Sequence, residues 1–419
     1  MKTRKRWSLA LILLVLLLTH CAQPTMAPTK IPTEMRTGLN PRIERVENGL
    51  LALSVGGQVL SDKPLTLAER MEHHRVPGVS IAVINDYQIE WAKGYGALEA
   101  GADEPVTPES LFNAGSILKP VVAAAVLALV EDGLLDLDGD VNDRLVSWQV
   151  PENEYTIKEK VTLRRLLSHT AGLTDGFTDR SADDPVPDYV APVGEAPTVT
   201  VQQMLDAEPG VDVDGPTHVT MVPGTKWDYT NADYAIVGLL MADVTQKPVH
   251  QLVGERVLSP LGMTSSTLEQ PLPKELRVRA TTEHYANGQP FEGKRHHYPI
   301  GGLWTTPSDL ARFAIEMMLA YRGQSEEVIS HEMAQEMLSP QIHTPDQPLQ
   351  DAEGLGFHLA GEERSFRIFH TGGTWGSTCV LWAYPEAGQG AVVMTNSSSN
   401  QGLIRFEILY SIAAEYGWP

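Results

Sequence analysis

The chain has 419 residues, of which 42% are hydrophobic and 20% charged, an ordinary globular composition that suggests one large domain or two to three smaller ones. The formal charge of −21 gives a surface that repels phosphate backbones, which argues against nucleic acid as a partner.

The chain opens on the basic stretch "MKTRKRW" and the eleven-residue apolar run "SLALILLVLLL". Eleven residues of helix reach only about 16 Å, against about 30 Å of bilayer hydrocarbon. Residues 1–21 therefore read as an export signal, which places the chain in the periplasm or cell envelope. The run ends in "LLTHC", which resembles a bacterial lipoprotein processing site with Cys21 as the lipidated residue and membrane attachment through that lipid. Ordinary cleavage near "TMA" at 25–27 stays open. The only other cysteine, Cys379, is expected to be a buried thiol in a strand.

Residues 22–60 read as a Pro- and Thr-rich tether with an N-terminal extension, and the globular part is expected from about 61. "LTLAERMEHHRV" has helical spacing, and its adjacent His73 and His74 cannot share a helix face, so they read as surface residues. "GVSIAVIND" and "QIEWAKGYG" form a hairpin across the turn "NDYQ". Residues 120–132 are an apolar helix closed by Gly133. "VTLRRLLSHTAG" is a short helix capped by Thr162, residues 174–200 are a loop, and "ADYAIVGLLMADVTQ" is an amphipathic helix. "PSDLARFAIEMMLAY" is another helix, started by Ser308. "FRIFHTGG", "STCVLWAYPE" and "GAVVMTN" then alternate as three strands, and a final helix follows. The fold class is mixed α/β: a largely antiparallel sheet from both termini flanked by helices (61–112 and 295–419), with an inserted, mostly helical domain (113–294).

Several apparent motifs lack what their chemistry needs. "HEMAQ" has Gln335 where a zinc-protease helix needs its second histidine. "DLDGDVND" has its glycine and final residue misplaced for a calcium loop. No serine sits in G-x-S-x-G. No metal or other cofactor is implied.

"GSILKP" is different. Proline is tolerated only in the first turn of a helix, so Pro120 puts the helix start at about 116–119 and Ser116 at the positive end of its dipole. Lys119 follows Ser116 by three and faces the same way. A serine hydroxyl needs a base, and a lysine desolvated by apolar neighbours can be one. A second element, Tyr229-Thr230-Asn231, supplies a phenol to relay a proton and an amide to orient the lysine and a substrate carbonyl. The rival Tyr285-Ala286-Asn287 precedes Gly288 and reads as a hairpin tip. A third element, His370-Thr371-Gly372-Gly373, ends a strand. Its small residues let a substrate backbone lie alongside, and the N–H groups of Gly373 and Ser116 can pair as an oxyanion hole.

These three motifs, with "LLSHTAGL" (166–173), "PLGM" (260–263) and "GGLWTTPSDLARF" (301–313), resemble the penicillin-binding and serine β-lactamase-like superfamily. The likeness is to the branch of class C β-lactamases, D-aminopeptidases, DD-carboxypeptidases and esterases, and it covers about 61–419. It implies Ser116 as the acylated nucleophile, Lys119 as its base, Tyr229 as the acid/base partner and Asn231 as organiser. It implies that His370, Thr371 and Gly372 line the substrate strand, that Gly373 helps hold the oxyanion and that His169 is structural. Many β-lactamases carry a lysine where His370 stands, so D-amino-acid peptides or small esters are expected ahead of β-lactams. The substrate wall is expected in 174–220 and 280–300. A wall-peptide or penicillin-binding sensor that acylates without turnover is the alternative.

Overall fold

In the stretch "GVSIAVIN", side chains alternate across a strand that is buried on both faces. Val79, Ile81 and Val83 pack in one layer with Ile404, Ile408 and Ile412, a stripe at every fourth residue of the C-terminal helix Leu403–Tyr416. Ala82 and Ile84 face the opposite layer, which holds Leu310, Phe313 and Met317 of helix Pro307–Tyr321. Full burial of such aliphatic side chains contributes about 1.5–3 kcal/mol each relative to exposure. Two helical layers thus sandwich one sheet.

The computed structural model describes residues 40–54, 57–176, 190–192, 199–211, 213–291, 294–296 and 302–419. The signal peptide, Cys21 and the tether as far as residue 39 lie outside the described residues, as does most of the 174–200 loop. The main sheet has eight strands, all antiparallel to their neighbours. From one edge they run Gln88–Gly96, Gly78–Asn85, Gln389–Thr395, Thr378–Tyr384, Arg367–Gly373, His358–Ala360, Ala352–Glu353 and Ile342–His343. The N-terminal hairpin docks on the last strand in chain order, with Val79 opposite Thr395 and Ile84 opposite Gly390. The sheet is therefore built from both ends of the chain. Between them run helices that include Leu118–Glu131, Leu163–Leu167 and Asn231–Thr245.

Local signals explain many of the boundaries. Thr162 caps its helix by accepting from the Arg165 N–H at 3.3 Å. Gly133, at φ +73, ends the 118–131 helix region. Asn287 and Gly288 (φ +86) turn a small hairpin in which the Tyr285 N–H reaches the Gln289 carbonyl at 2.9 Å, so the rival Y-x-N is a hairpin tip. Cys379 lies on strand Thr378–Tyr384 with 1% exposure, and burial pushes its thiol up to about 12.

The structure corrects four expectations. Helix Pro307–Tyr321 is capped by Thr306, whose hydroxyl accepts from the Asp309 N–H at 3.1 Å, and not by Ser308; Pro307 takes the first helical position, where no N–H is needed. Helix Asn231–Thr245 is not amphipathic: residues 232–241 are all buried, because the helix runs through the interior. Ordered packing starts at about residue 40 instead of 61. Helix Pro41–Glu47 lies on the C-terminal helix, with Val46 buried and Arg45 bidentate on Glu415 at 2.7 and 2.6 Å. The partner is some 370 positions away, so no local pattern announced the contact.

The fourth correction is His74, which is 1% exposed and not a surface residue. It belongs to a buried network around Glu407, which accepts from Arg70 at 2.6 and 2.8 Å and from the Leu53 N–H at 3.1 Å. His74 Nε2 lies 3.1 Å from the same carboxylate. Burial alone would raise the Glu407 carboxyl, but the bonds from His74, Arg70 and Leu53 outweigh it and hold the group down at about 2. Glu407→Gln leaves the Arg70 charge unpaired inside the fold and is expected to cost about 3–5 kcal/mol, read as a lower urea midpoint. Because the folded value is depressed, this stabilisation is complete above the ordinary 4.5 and fades as pH falls towards about 2, which acid titration of stability would show.

Candidate active site

Ser116 sits on a single 3-10 turn, Gly115–Ile117, that feeds directly into helix Leu118–Glu131. Gly115 takes φ +51, and a Cβ there would lie 2.6 Å from the Gly373 carbonyl oxygen and 2.7 Å from the Gly373 nitrogen. Only glycine lets these two backbones touch. The Asn113 side chain accepts the Gly115 N–H at 3.1 Å, and the Ala114 N–H bonds the Leu303 carbonyl at 2.8 Å, which fixes the turn. Pro120 is the third residue of the helix, where its missing N–H leaves nothing unpaired.

Lys119 is 1% exposed, whereas Ser116 beside it is partly open. Lys119 Nζ lies 3.1 Å from Ser116 Oγ and donates to Asn231 Oδ1 at 2.9 Å. It also stands 4.7 Å from the centre of the Tyr229 ring. Burial brings the amine down to about 7, against the opposing pull of Asp175, Asp233 and Glu353. Near neutral pH a large share of the amine is therefore uncharged, with a lone pair free for the serine proton. The Tyr229 phenol hydrogen-bonds Ser116, and burial raises it above its ordinary range, so it keeps its proton. Tyr229 precedes the cap Thr230, and Asn231 is the first residue of its helix. One helix mouth thus presents the phenol and the amide to the mouth of another that presents the serine and the lysine.

Strand Arg367–Gly373 closes the third side. It pairs along its length with Thr378–Tyr384, but His358–Ala360 covers only Arg367–Phe369 on the other edge. The edge from His370 to Gly373 is thus without a strand partner on that side among the described residues. Ser116, Tyr229, His370, Thr371 and Gly373 line one cavity of about 340 Å³. Gly372 lies behind it, with a Cβ position 2.0 Å from the Ala114 carbonyl oxygen and 2.5 Å from Cys379 Sγ. His370 Nδ1 lies 2.6 Å from the Thr371 carbonyl and so carries the proton, while the buried Nε2 has no partner. Burial pushes this imidazole well below its ordinary value, so it is neutral.

The structure therefore brings Ser116, Lys119, Tyr229, Asn231, His370, Thr371, Gly372 and Gly373 together; Cys21 lies outside the described residues. It also places residues that the motifs did not reveal. Asp175 accepts from Asn231 Nδ2 at 3.3 Å. Asp233, fully buried, lies 2.8 Å from His169 Nδ1, and the His169 ring rests against Tyr229 at 4.3 Å between centres. Burial drives the Asp233 carboxyl up and the His169 imidazole down, and the His169 ring supports the phenol from behind. The described part of the cavity wall includes Trp227, residues 347–350, His358 and Phe369, while much of the 174–220 segment and part of the 280–300 segment expected to form it lie outside the described residues. None of these wall residues stands in a recognisable motif, and a single chain gives no signal that would have found them.

The glycines make a direct contrast. Gly372→Ala forces the strand away from the Ser116 turn and is expected to cost about 1–3 kcal/mol, as overpacking does. A Cβ at Gly373 meets nothing nearer than the Ser377 carbonyl oxygen at 3.9 Å, so Gly373→Ala is expected to stay within about 0.5 kcal/mol of wild type. Thermal unfolding of the pair checks both.

Comparison with known proteins bears on the fold and the family. A penicillin-binding protein 4 of Amycolatopsis lactamdurans is 33% identical over 258 residues, 59% of this chain and 60% of that one. The chain spans about three fifths of the length of the curated relatives it matches. Among solved structures, the D-amino acid amidase of Ochrobactrum anthropi superposes with a TM-score of 0.64 at 21% identity, covering 84% of this chain and 96% of that one. The β-lactamase/D-alanine carboxypeptidase of Yersinia pestis gives 0.64 at 20% identity, covering 84% and 97%. Those identities speak for the fold alone, but the Beta-lactamase family profile matches residues 65–408, most of the chain, and the protein belongs to that family.

Proposed function

We propose that the chain is a hydrolase that works through an acyl-Ser116 intermediate. The observation that carries this reading is the buried Lys119 amine, 3.1 Å from Ser116 Oγ and lowered to about 7. In its neutral form Lys119 takes the Ser116 proton as Oγ attacks the substrate carbonyl. The N–H groups of Ser116 and Gly373 receive the oxyanion. Tyr229 gives a proton to the leaving nitrogen or oxygen and is reprotonated from the Lys119 ammonium. The same groups, run in reverse, activate the water that frees the acyl group. Asn231 holds Lys119 in place throughout.

The substrates favoured are D-amino-acid amides or peptides and small esters, ahead of β-lactams. Two features support this order: a neutral His370 stands where a fixed cation would draw a substrate carboxylate, and the fold is shared with a D-amino acid amidase. The N-terminal residues fit export to the cell envelope with a lipid on Cys21. Cys21→Ser is then expected to release the protein from the membrane fraction and abolish fatty-acid labelling.

Ser116→Ala is expected to remove labelling by a fluorophosphonate and all turnover of an ester, a D-peptide and a β-lactam panel. Retained labelling of that variant sinks the assignment. Lys119→Arg keeps a fixed charge at the base and is expected to lower kcat/KM by about 10²–10⁴. In the wild type, kcat/KM should climb as pH rises through about 7, since the base acts only when deprotonated. An acylation burst with no steady state on every substrate would instead mark a sensor.

A further inference from the structure

One wall of the cavity is organised by a carboxyl group that moves no proton in the chemistry above, Glu353. Glu353 ends strand Ala352–Glu353 and is fully buried. Its Oε2 accepts from three different segments: Trp227 Nε1 at 3.2 Å, Gln350 Nε2 at 3.0 Å and His358 Nδ1 at 2.7 Å. The His358 ring in turn stacks on His370 at 4.5 Å between centres, with 19° between planes. Trp227, Gln350, His358 and His370 all line the cavity. A polar atom is costly to bury unless it is hydrogen-bonded, and the donors to Oε2 are the side chains that shape the wall. Each donor is therefore held at a fixed distance from the others, although they come from positions 227, 350 and 358.

The surface so held has a definite chemistry. Trp227 and Phe369 offer aromatic faces, and Pro348 and Leu349 add apolar area from the facing loop. Such a slot selects by shape and apolar contact, with a few polar atoms to orient the ligand. Resting on the acyl-serine reading above, we propose that this region is the acyl side-chain subsite, that it takes an aromatic or branched apolar group, and that Glu353 is the positioning residue that holds its walls. Glu353 touches neither Ser116 nor the scissile bond; its pull on the Lys119 amine acts on every substrate alike, so its hold on the wall is read in which acyl groups bind.

The test compares p-nitrophenyl phenylacetate with p-nitrophenyl acetate, which share a leaving group, on the full chain. Wild type should prefer the aromatic acyl group by about 10–100-fold in kcat/KM, the range that apolar contacts supply. Glu353→Gln should shrink that ratio by at least tenfold, mostly through KM. Leu349→Trp fills the slot from a residue that is 42% exposed, which spares the fold, and should shrink the ratio likewise. Fluorophosphonate labelling of Ser116 reports that each variant still carries a formed site. The proposal is overturned if wild type shows no aromatic preference, if both variants keep the wild-type ratio, or if Glu353→Gln slows both esters by one common factor. Absence of any labelling in the wild type would overturn the acyl-serine reading itself, and the subsite with it.

Discussion

The site depends on one ammonium being made expensive to charge. Lys119 is placed at the start of a helix whose residues 118–129 are all buried, so water cannot solvate its charge. Three carboxylates, Asp175, Asp233 and Glu353, act against that desolvation and keep the amine from becoming an ordinary buried neutral group. The balance leaves it near 7, where a base is most useful at neutral pH. The surroundings serve this balance. Asn231 takes one amine hydrogen, the Tyr229 ring covers the amine, and the His169 ring backs that ring.

The position of the amine follows from the sandwich. The Ser116 turn is gripped from below by its own helix and from the side by the last residues of strand Arg367–Gly373. That strand is itself held in register by Thr378–Tyr384, which pairs with Gln389–Thr395 and through it with the N-terminal hairpin. Arg405 of the C-terminal helix bonds the carbonyls of Gly372 and Cys379 at 2.9 and 3.1 Å, which links the outer helical layer to the site strand. The Glu407 network ties the same helix to residues 53, 70 and 74. Rigid elements thus set the groups of the candidate site, as preorganised sites require.

Much of this was legible before any coordinates. The period of two in "GVSIAVIN" and "STCVLWAYPE" and the proline in "GSILKP" each act through local backbone chemistry, and the strands and helix start they announce are present. The misreadings share a cause. His74 reads as a surface residue until Glu407, 333 positions on, is seen beside it, and helix Pro41–Glu47 reads as linker until Glu415 is seen beside it. The Thr306 cap was missed for a smaller reason: two hydroxyls flank Pro307, and only backbone geometry says which of them is outside the helix.

By itself the sequence determined most of the elements and the meeting of both termini in one sheet, and it picked out Ser116, Lys119 and Tyr229 as a candidate set. Helix and strand periods, caps and turns are short-range, and the three motifs are short-range as well. Only the tertiary structure decided the burial of that set and the shape of the cavity beside it. Desolvation of Lys119 and the convergence of Trp227, Gln350 and His358 on Glu353 are sums over contacts from distant segments, and no spacing within one segment encodes them.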